Sequence, residues 1–123
     1  MNGNMQKMLA QVVGVVLTLV GIVGFFTGGA VLIFAVNTLH NVVHLVSGLG
    51  GLYAGFMDGG KRAMMYNQLF GIIYLVVAVL GFAAPGLLNN LLAINAADNV
   101  LHLVLGIVLA GVGFGMRRQA ATA

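Results

Sequence analysis

Asn37-Thr38-Leu39-His40-Asn41-Val42-Val43-His44-Leu45 returns 58 positions later as Asn95-Ala96-Ala97-Asp98-Asn99-Val100-Leu101-His102-Leu103. All three histidines of the chain, and one of its two acids, lie in these two copies. The correspondence extends in both directions. Downstream, the same register pairs Gly48 with Gly106, Gly55 with Gly113 and Phe56 with Phe114. Upstream, an offset of 57 pairs Gly14 with Gly71, Gly24 with Gly81, Phe25 with Phe82 and Gly29 with Gly86. One residue of loop length separates the two registers. The chain therefore reads as a duplicated helical hairpin, with repeat 1 at about 8–58 and repeat 2 at about 63–116, forming one domain over 1–123.

Composition sets the solvent. Hydrophobic residues make up 61% of the 123 positions and charged residues 6%, with a mean hydropathy of +1.09. Soluble domains carry about 25% charge. A chain this short has too much surface to hide so many apolar side chains from water, so most of its surface is expected to face lipid. The 19 glycines against one proline suit packed transmembrane helices. With no cysteine, disulfides and thiolate metal sites are excluded. Five basic residues are too sparse for a nucleic-acid footprint.

Four apolar spans follow, at about Met8–Phe26, Thr38–Phe56, Ala63–Ala84 and Ala96–Gly115, and none contains Lys or Arg. Each is near the ~20 residues that cross the hydrocarbon. They are continuously apolar rather than alternating, and an open sheet would leave backbone groups unpaired in lipid. The predicted fold is all-α, an integral membrane four-helix bundle of two parallel-repeat helical hairpins. Each repeat crosses twice, so both copies enter with the same polarity and a pseudo-twofold axis runs along the membrane normal.

Lys7 precedes the first span, Lys61 and Arg62 separate the second and third, and Arg117 and Arg118 follow the fourth. Four crossings put all five on one side, which the positive-inside rule makes cytoplasmic, together with both termini. The first span resembles a secretory signal in having a basic residue, an apolar run and small residues. Its counterpart in the second repeat argues that it is retained.

Small residues at helical spacing predict where helices touch: Gly14, Thr18 and Gly21; Ser47, Gly51 and Gly55; and Gly111 with Gly115. Oligomer contacts are the alternative use of such stripes. The outer loops are apolar, and both Ala30–Val36 and Leu87–Ile94 have room for one or two helical turns. Leu87, Leu88, Leu91 and Leu92 opposite Asn89 and Asn90 read as a short interfacial helix.

The repeated polar stretch carries two kinds of residue. Asn37 and Asn95 each stand before an apolar helix, where an asparagine caps free N–H groups. His40 and Asp98 are three residues on, the second position of a capping box. Capping leaves Asn41, His44, Asn99 and His102 unexplained. His44 and His102 lie seven residues past their caps, ~10 Å down the helix. Residues 37, 40, 41 and 44 share one helical face, as do 95, 98, 99 and 102. Polar groups at such depth are costly unless they meet a partner or a cavity. If both faces turn inward they form one cluster. The favoured reading is an interhelical hydrogen-bond network. The alternatives are a metal site of His40, His44, Asp98 and His102, axial ligation of a haem or pigment by His44 and His102, and a proton or solute pathway. No nucleophile–base–acid set is visible. Ser47, three residues from His44, reads as a small packing residue.

The chain resembles a prokaryotic family of small four-helix membrane proteins of unknown function. The resemblance rests on Phe34-Ala35-Val36-Asn37…His40-Asn41-Val42-Val43-His44-Leu45…Gly48, on Tyr66…Phe70-Gly71…Tyr74-Leu75…Leu80-Gly81-Phe82, and on Asn95…Ala97-Asp98-Asn99…Leu101-His102-Leu103…Gly106. It implies a multi-pass protein of a prokaryotic cell membrane and supplies no activity. The sequence thus leads to a non-enzymatic structural or accessory subunit of a larger membrane complex, with lipids, other subunits or its own copies as partners. No cofactor is expected in that reading. A metal-, haem- or pigment-binding module is the first alternative and a small channel or transporter the second.

Overall fold

A computed structural model describes residues 2–116. Arg117 and Arg118, two of the five basic residues behind the expected orientation, lie outside the described residues. The order is α1 (Asn2–Gly24), β1 (Ala30–Val31), β2 (Phe34–Ala35), α2 (Thr38–Phe56), a 3-10 turn (Met57–Gly60), α3 (Ala63–Ala83), α4 (Pro85–Leu92) and α5 (Ala96–Gly115). Apart from the minimal β1–β2 hairpin, the regular structure is helical.

Among the described residues, three helices are long and apolar enough to cross a membrane: Asn4–Gly24 within α1, then α3 and α5. The α2 helix is 19 residues long, and its His40, Asn41, His44 and Ser47 lower its hydropathy. Those four side chains are buried, as are Gln6, Asn67, Asp98, Asn99 and His102. Val16, Leu19, Leu49, Leu69, Val79 and Ile107 are exposed instead. Polar-inside, apolar-outside is the distribution that a lipid solvent favours.

Most interhelical contact is between α1 and α2 and between α3 and α5. The two pairs use corresponding positions. A β-carbon at Gly14 would stand 2.7 Å from the carbonyl carbon of Gly51, and one at Gly71 would stand 2.8 Å from the α-carbon of Ala110. Gln11 donates its side-chain N–H to the Gly55 carbonyl at 3.0 Å, and Gln68 does the same to Gly113 at 2.9 Å. Such backbone proximity matters because lipid gives helices little hydrophobic reason to associate. The expected Gly111–Gly115 stripe is not part of this packing. Nothing would meet a β-carbon at either position, and α5 instead packs through Gly106 and Gly113.

The outer connections differ. In the second, Pro85 occupies the first turn of α4, where its missing N–H costs nothing and its fixed φ suits the helix. Leu88 is the buried residue of α4. In the first, the expected helical turn over Ala30–Val36 is replaced by the hairpin, with Ala30 opposite Ala35 and Val31 opposite Phe34. Gly28 and Gly29 have φ of 71° and 113°, conformations that continue no helix and favour glycine. The Val36 N–H then closes the loop on the Gly29 carbonyl at 2.9 Å.

On the opposite end, Asp58 and Arg62 form an i, i+4 ion pair and Arg62 lies 5.1 Å over the Tyr53 ring. The hydrogen bond that the Arg62 guanidinium donates to Asp58 holds its pKa above the ordinary value.

Candidate functional site

The α2 and α5 helices begin in the same way. Asn37 accepts the His40 backbone N–H on its side-chain oxygen at 2.8 Å. Asn95 accepts the Asp98 N–H at 2.9 Å, and Asp98 Oδ2 accepts the Asn95 N–H at 3.0 Å. The second start is a complete capping box. Both caps also reach across the molecule. The Asn37 amide donates to the Leu91 carbonyl at 3.2 Å, and the Asn95 amide donates to the Ile33 carbonyl at 3.0 Å. Each helix start thereby holds the outer connection that precedes the other.

One turn deeper, Asn41 lies against Gly24 and Asn99 against Gly81. In both cases a β-carbon on the glycine would overlap the asparagine Oδ1. The glycine Cα–H therefore points at the amide oxygen, the geometry of a weak C–H···O contact. Asn99 adds a bond from Nδ2 to the Gly81 carbonyl at 3.1 Å. The deep asparagines thus join α1 to α2 and α3 to α5.

The histidines do something else. His40, His44 and His102 are 2%, 3% and 2% exposed, and the structure brings all three together. Ring centroids are 4.4 Å apart for His40–His44, 5.6 Å for His40–His102 and 6.2 Å for His44–His102. One nitrogen from each lies within 4.8 Å of the others. Among the described residues, both nitrogens of His40, both of His102 and Nδ1 of His44 have no hydrogen-bond partner. Asn37, Asn95 and Asn99 donate bonds across the bundle, whereas among the described residues the Asn41 Oδ1 has no partner, like the imidazole nitrogens just named. His40, which the capping-box position would turn to the helix start, turns inward instead.

Asp98 stands outside the group of three. Its Oδ2 is engaged in the cap, while Oδ1 is buried without a partner among the described residues. His44 and His102, the expected axial pair, have ring centroids 6.2 Å apart, with His40 beside both.

Sequence reasoning missed the floor of the site. Tyr74 is fully buried; its hydroxyl donates to Ser47 Oγ at 2.9 Å and its ring lies 5.6 Å from His102. Tyr66 donates to the Ser47 carbonyl at 2.6 Å. Ser47 is thus the acceptor for two tyrosines rather than a mere small packing residue. The only hint in the sequence was the pair of tyrosines, Tyr66 and Tyr74, within the third span. Below them Val13, Ala54, Tyr66 and Leu109 form the apolar core. A second polar pair lies beyond it, where Asn67 donates to Gln6 Oε1 at 2.8 Å.

Three imidazoles with nitrogens this close are, in their neutral form, the donor set of a borderline divalent or a soft monovalent transition-metal ion. A tetrahedral ion with Zn–N of ~2.0–2.1 Å would bring its nitrogens roughly 3.3 Å apart. Closing from 4.8 Å needs a movement of about 1.5 Å, which side-chain rotation can supply.

In comparison with known proteins, residues 7–115 match the family described as Domain of unknown function (DUF4383). No curated protein and no solved structure matches the chain.

Proposed function

The chain belongs to the DUF4383 family, and from that premise we propose a multi-pass membrane protein whose buried trihistidine cluster binds one transition-metal ion. In this reading the four long helices form a bundle of two duplicated hairpins, with α2 crossing the membrane despite its polar residues. Those residues face inward, away from lipid, which supports the crossing. The matched contacts at Gly14 and Gly71, at Gln11 and Gln68, and at Asn37 and Asn95 support the duplication. Lys7, Lys61 and Arg62 sit at one end and give that end to the cytoplasm. The membrane is that of a prokaryotic cell.

The observation that carries the metal reading is the unpartnered burial of the imidazole nitrogens. Leaving one buried polar group unpaired costs about 1–3 kcal/mol. Three such rings at one point make a ligand that bonds all of them worth more than any single contact. The role is read as binding rather than catalysis, since among the described residues beside the cluster the Ser47 and Tyr74 hydroxyls are bonded to each other and Asp98 Oδ2 is engaged in its cap. An accessory role in a larger complex is compatible, and the exposed face of Gly111 and Gly115 offers a surface for it. A conducting path is the weaker reading, because the core of Val13, Ala54, Tyr66 and Leu109 separates the two polar layers.

Titration of detergent-purified protein with Co²⁺ tests the assignment. Visible absorption of a low-symmetry nitrogen site is expected, displaced by Zn²⁺ and absent in H44A and H102A. Absorption indistinguishable from hexaaqua Co²⁺ in the folded wild type contradicts it.

A further inference from the structure

The three imidazoles meet without an anionic ligand. The chain has no cysteine and only two acidic side chains. Asp58 is held by Arg62 at the opposite end. Asp98 Oδ2 accepts the Asn95 N–H, and the converging donor atoms among the described residues belong to His40, His44 and His102 alone. A ligating histidine ordinarily donates its other ring N–H to a carboxylate or carbonyl, which offsets part of the metal's charge. Here both nitrogens of His40 and of His102 lack any such partner among the described residues.

Polar space for a further ligand is missing as well. A cavity of about 160 Å³ between α1 and α5 reaches His44 and His102, but Val13, Val16, Leu17 and Leu105 wall it with aliphatic groups. In the repeat register Leu17 corresponds to Tyr74 and Leu105 to Ser47. Where α3 and α2 meet in a hydroxyl pair, Tyr74 on Ser47 Oγ, α1 and α5 place two leucines beside a gap. A buried water or hydroxide needs several polar partners, and those walls supply none. Taking an ion into such a site costs free energy that grows as the square of its charge. A divalent ion on three neutral ligands, with no hydroxide, would keep both charges.

We propose that the cluster selects a soft monovalent ion, Cu⁺, over divalent ions. Copper accepts imidazole nitrogen; in the monovalent state it is satisfied by three ligands and leaves a single charge inside the bundle. Zn²⁺ and Co²⁺ bind the same nitrogens more weakly. This rests on the metal reading, since the same three imidazoles are the ligands.

The test is anaerobic competition, for Cu⁺ against bicinchoninate and for Zn²⁺ against a chromophoric chelator, on detergent-purified wild type, H44A and H102E. The histidine site, read as the difference from H44A, should hold Cu⁺ at least about a hundred-fold more tightly than Zn²⁺. H102E exchanges a neutral ligand for a carboxylate and should cut that ratio at least about ten-fold. X-ray absorption of the Cu⁺-loaded wild type should show three nitrogen neighbours. If H102E does not fold, the wild-type ratio and this spectrum decide. Zn²⁺ held as tightly as Cu⁺, an undiminished ratio in folded H102E, or a fourth neighbour on copper overturns the selectivity and leaves the metal reading standing. Sulfur neighbours would put Cu⁺ on some of the chain's seven methionines and overturn it too. Wild type that binds neither ion through the histidines overturns both readings.

Discussion

Asn99 donates its side-chain N–H to the carbonyl oxygen of Gly81 at 3.1 Å, and its Oδ1 occupies the space where a β-carbon on Gly81 would stand. Glycine is required there by the neighbour rather than by φ. The asparagine, one turn inside a membrane helix, has its partner on the helix that the same hairpin supplies.

A double-mutant cycle reads that relationship. G81A should destabilise by about 1–3 kcal/mol through overpacking, and N99A by about 1 kcal/mol through the lost bond and contacts. In the N99A background the cost of G81A should fall below about 1 kcal/mol, because the obstructing oxygen is gone. Unfolding in mixed micelles measures all four corners. Additive costs would mean that the two residues do not meet.

The caps carry a second expectation. N95A removes the capping-box acceptor and the bond to the Ile33 carbonyl, so it should cost about 1–2 kcal/mol. It should also increase amide exchange across the β1–β2 hairpin. N37A should do the same over α4 through Leu91. Exchange that rises only next to the mutated residue would contradict the cross-tie.

Orientation is tested by labelling, since the chain has no cysteine of its own. I33C, at an exposed hairpin position, should react with an impermeant maleimide in intact cells. M57C, in the 3-10 turn, should react only after the membrane is opened. The reverse pattern would overturn the placing of Lys61 and Arg62 in the cytoplasm.

Metal affinity should fall as pH is lowered, because protons compete with the ion for each imidazole. Wild-type binding measured by metal-buffered competition should weaken progressively as the solution is acidified. H40A, H44A and H102A should each lose at least about ten-fold, whereas D98N should lose less, its carboxylate being engaged with Asn95. Equal losses in D98N and H44A would put Asp98 among the ligands.

Much of this was legible in the sequence because the repeat says it twice. The starts of α2 and α5 follow from an asparagine before each apolar run, and both helices begin and end where the pattern places them. The hairpin at Ala30–Val36 was not legible. Apolar residues in a loop suit a helical turn or a strand equally, and two glycines at positive φ decided it. The cluster of His40, His44 and His102 follows from one inward face on each of two symmetric helices. The engagement of Asp98 in its cap was legible too, from its place three residues after Asn95; that this keeps it out of the histidine group was not. Nor could spacing show that Tyr74 fills the place that Leu17 leaves open, since that requires knowing which faces the pseudo-symmetry brings together.

The central claim is that three buried imidazoles hold one ion. Elemental analysis of the protein, purified without histidine tags or chelators and then exposed to Zn²⁺, Cu⁺ and Fe²⁺ in turn, tests it most directly. The account predicts about one tightly held ion per folded chain for at least one of these metals, lost in H44A and H102A. Folded wild-type protein that retains none of the three, or variants that retain as much as wild type, would contradict it.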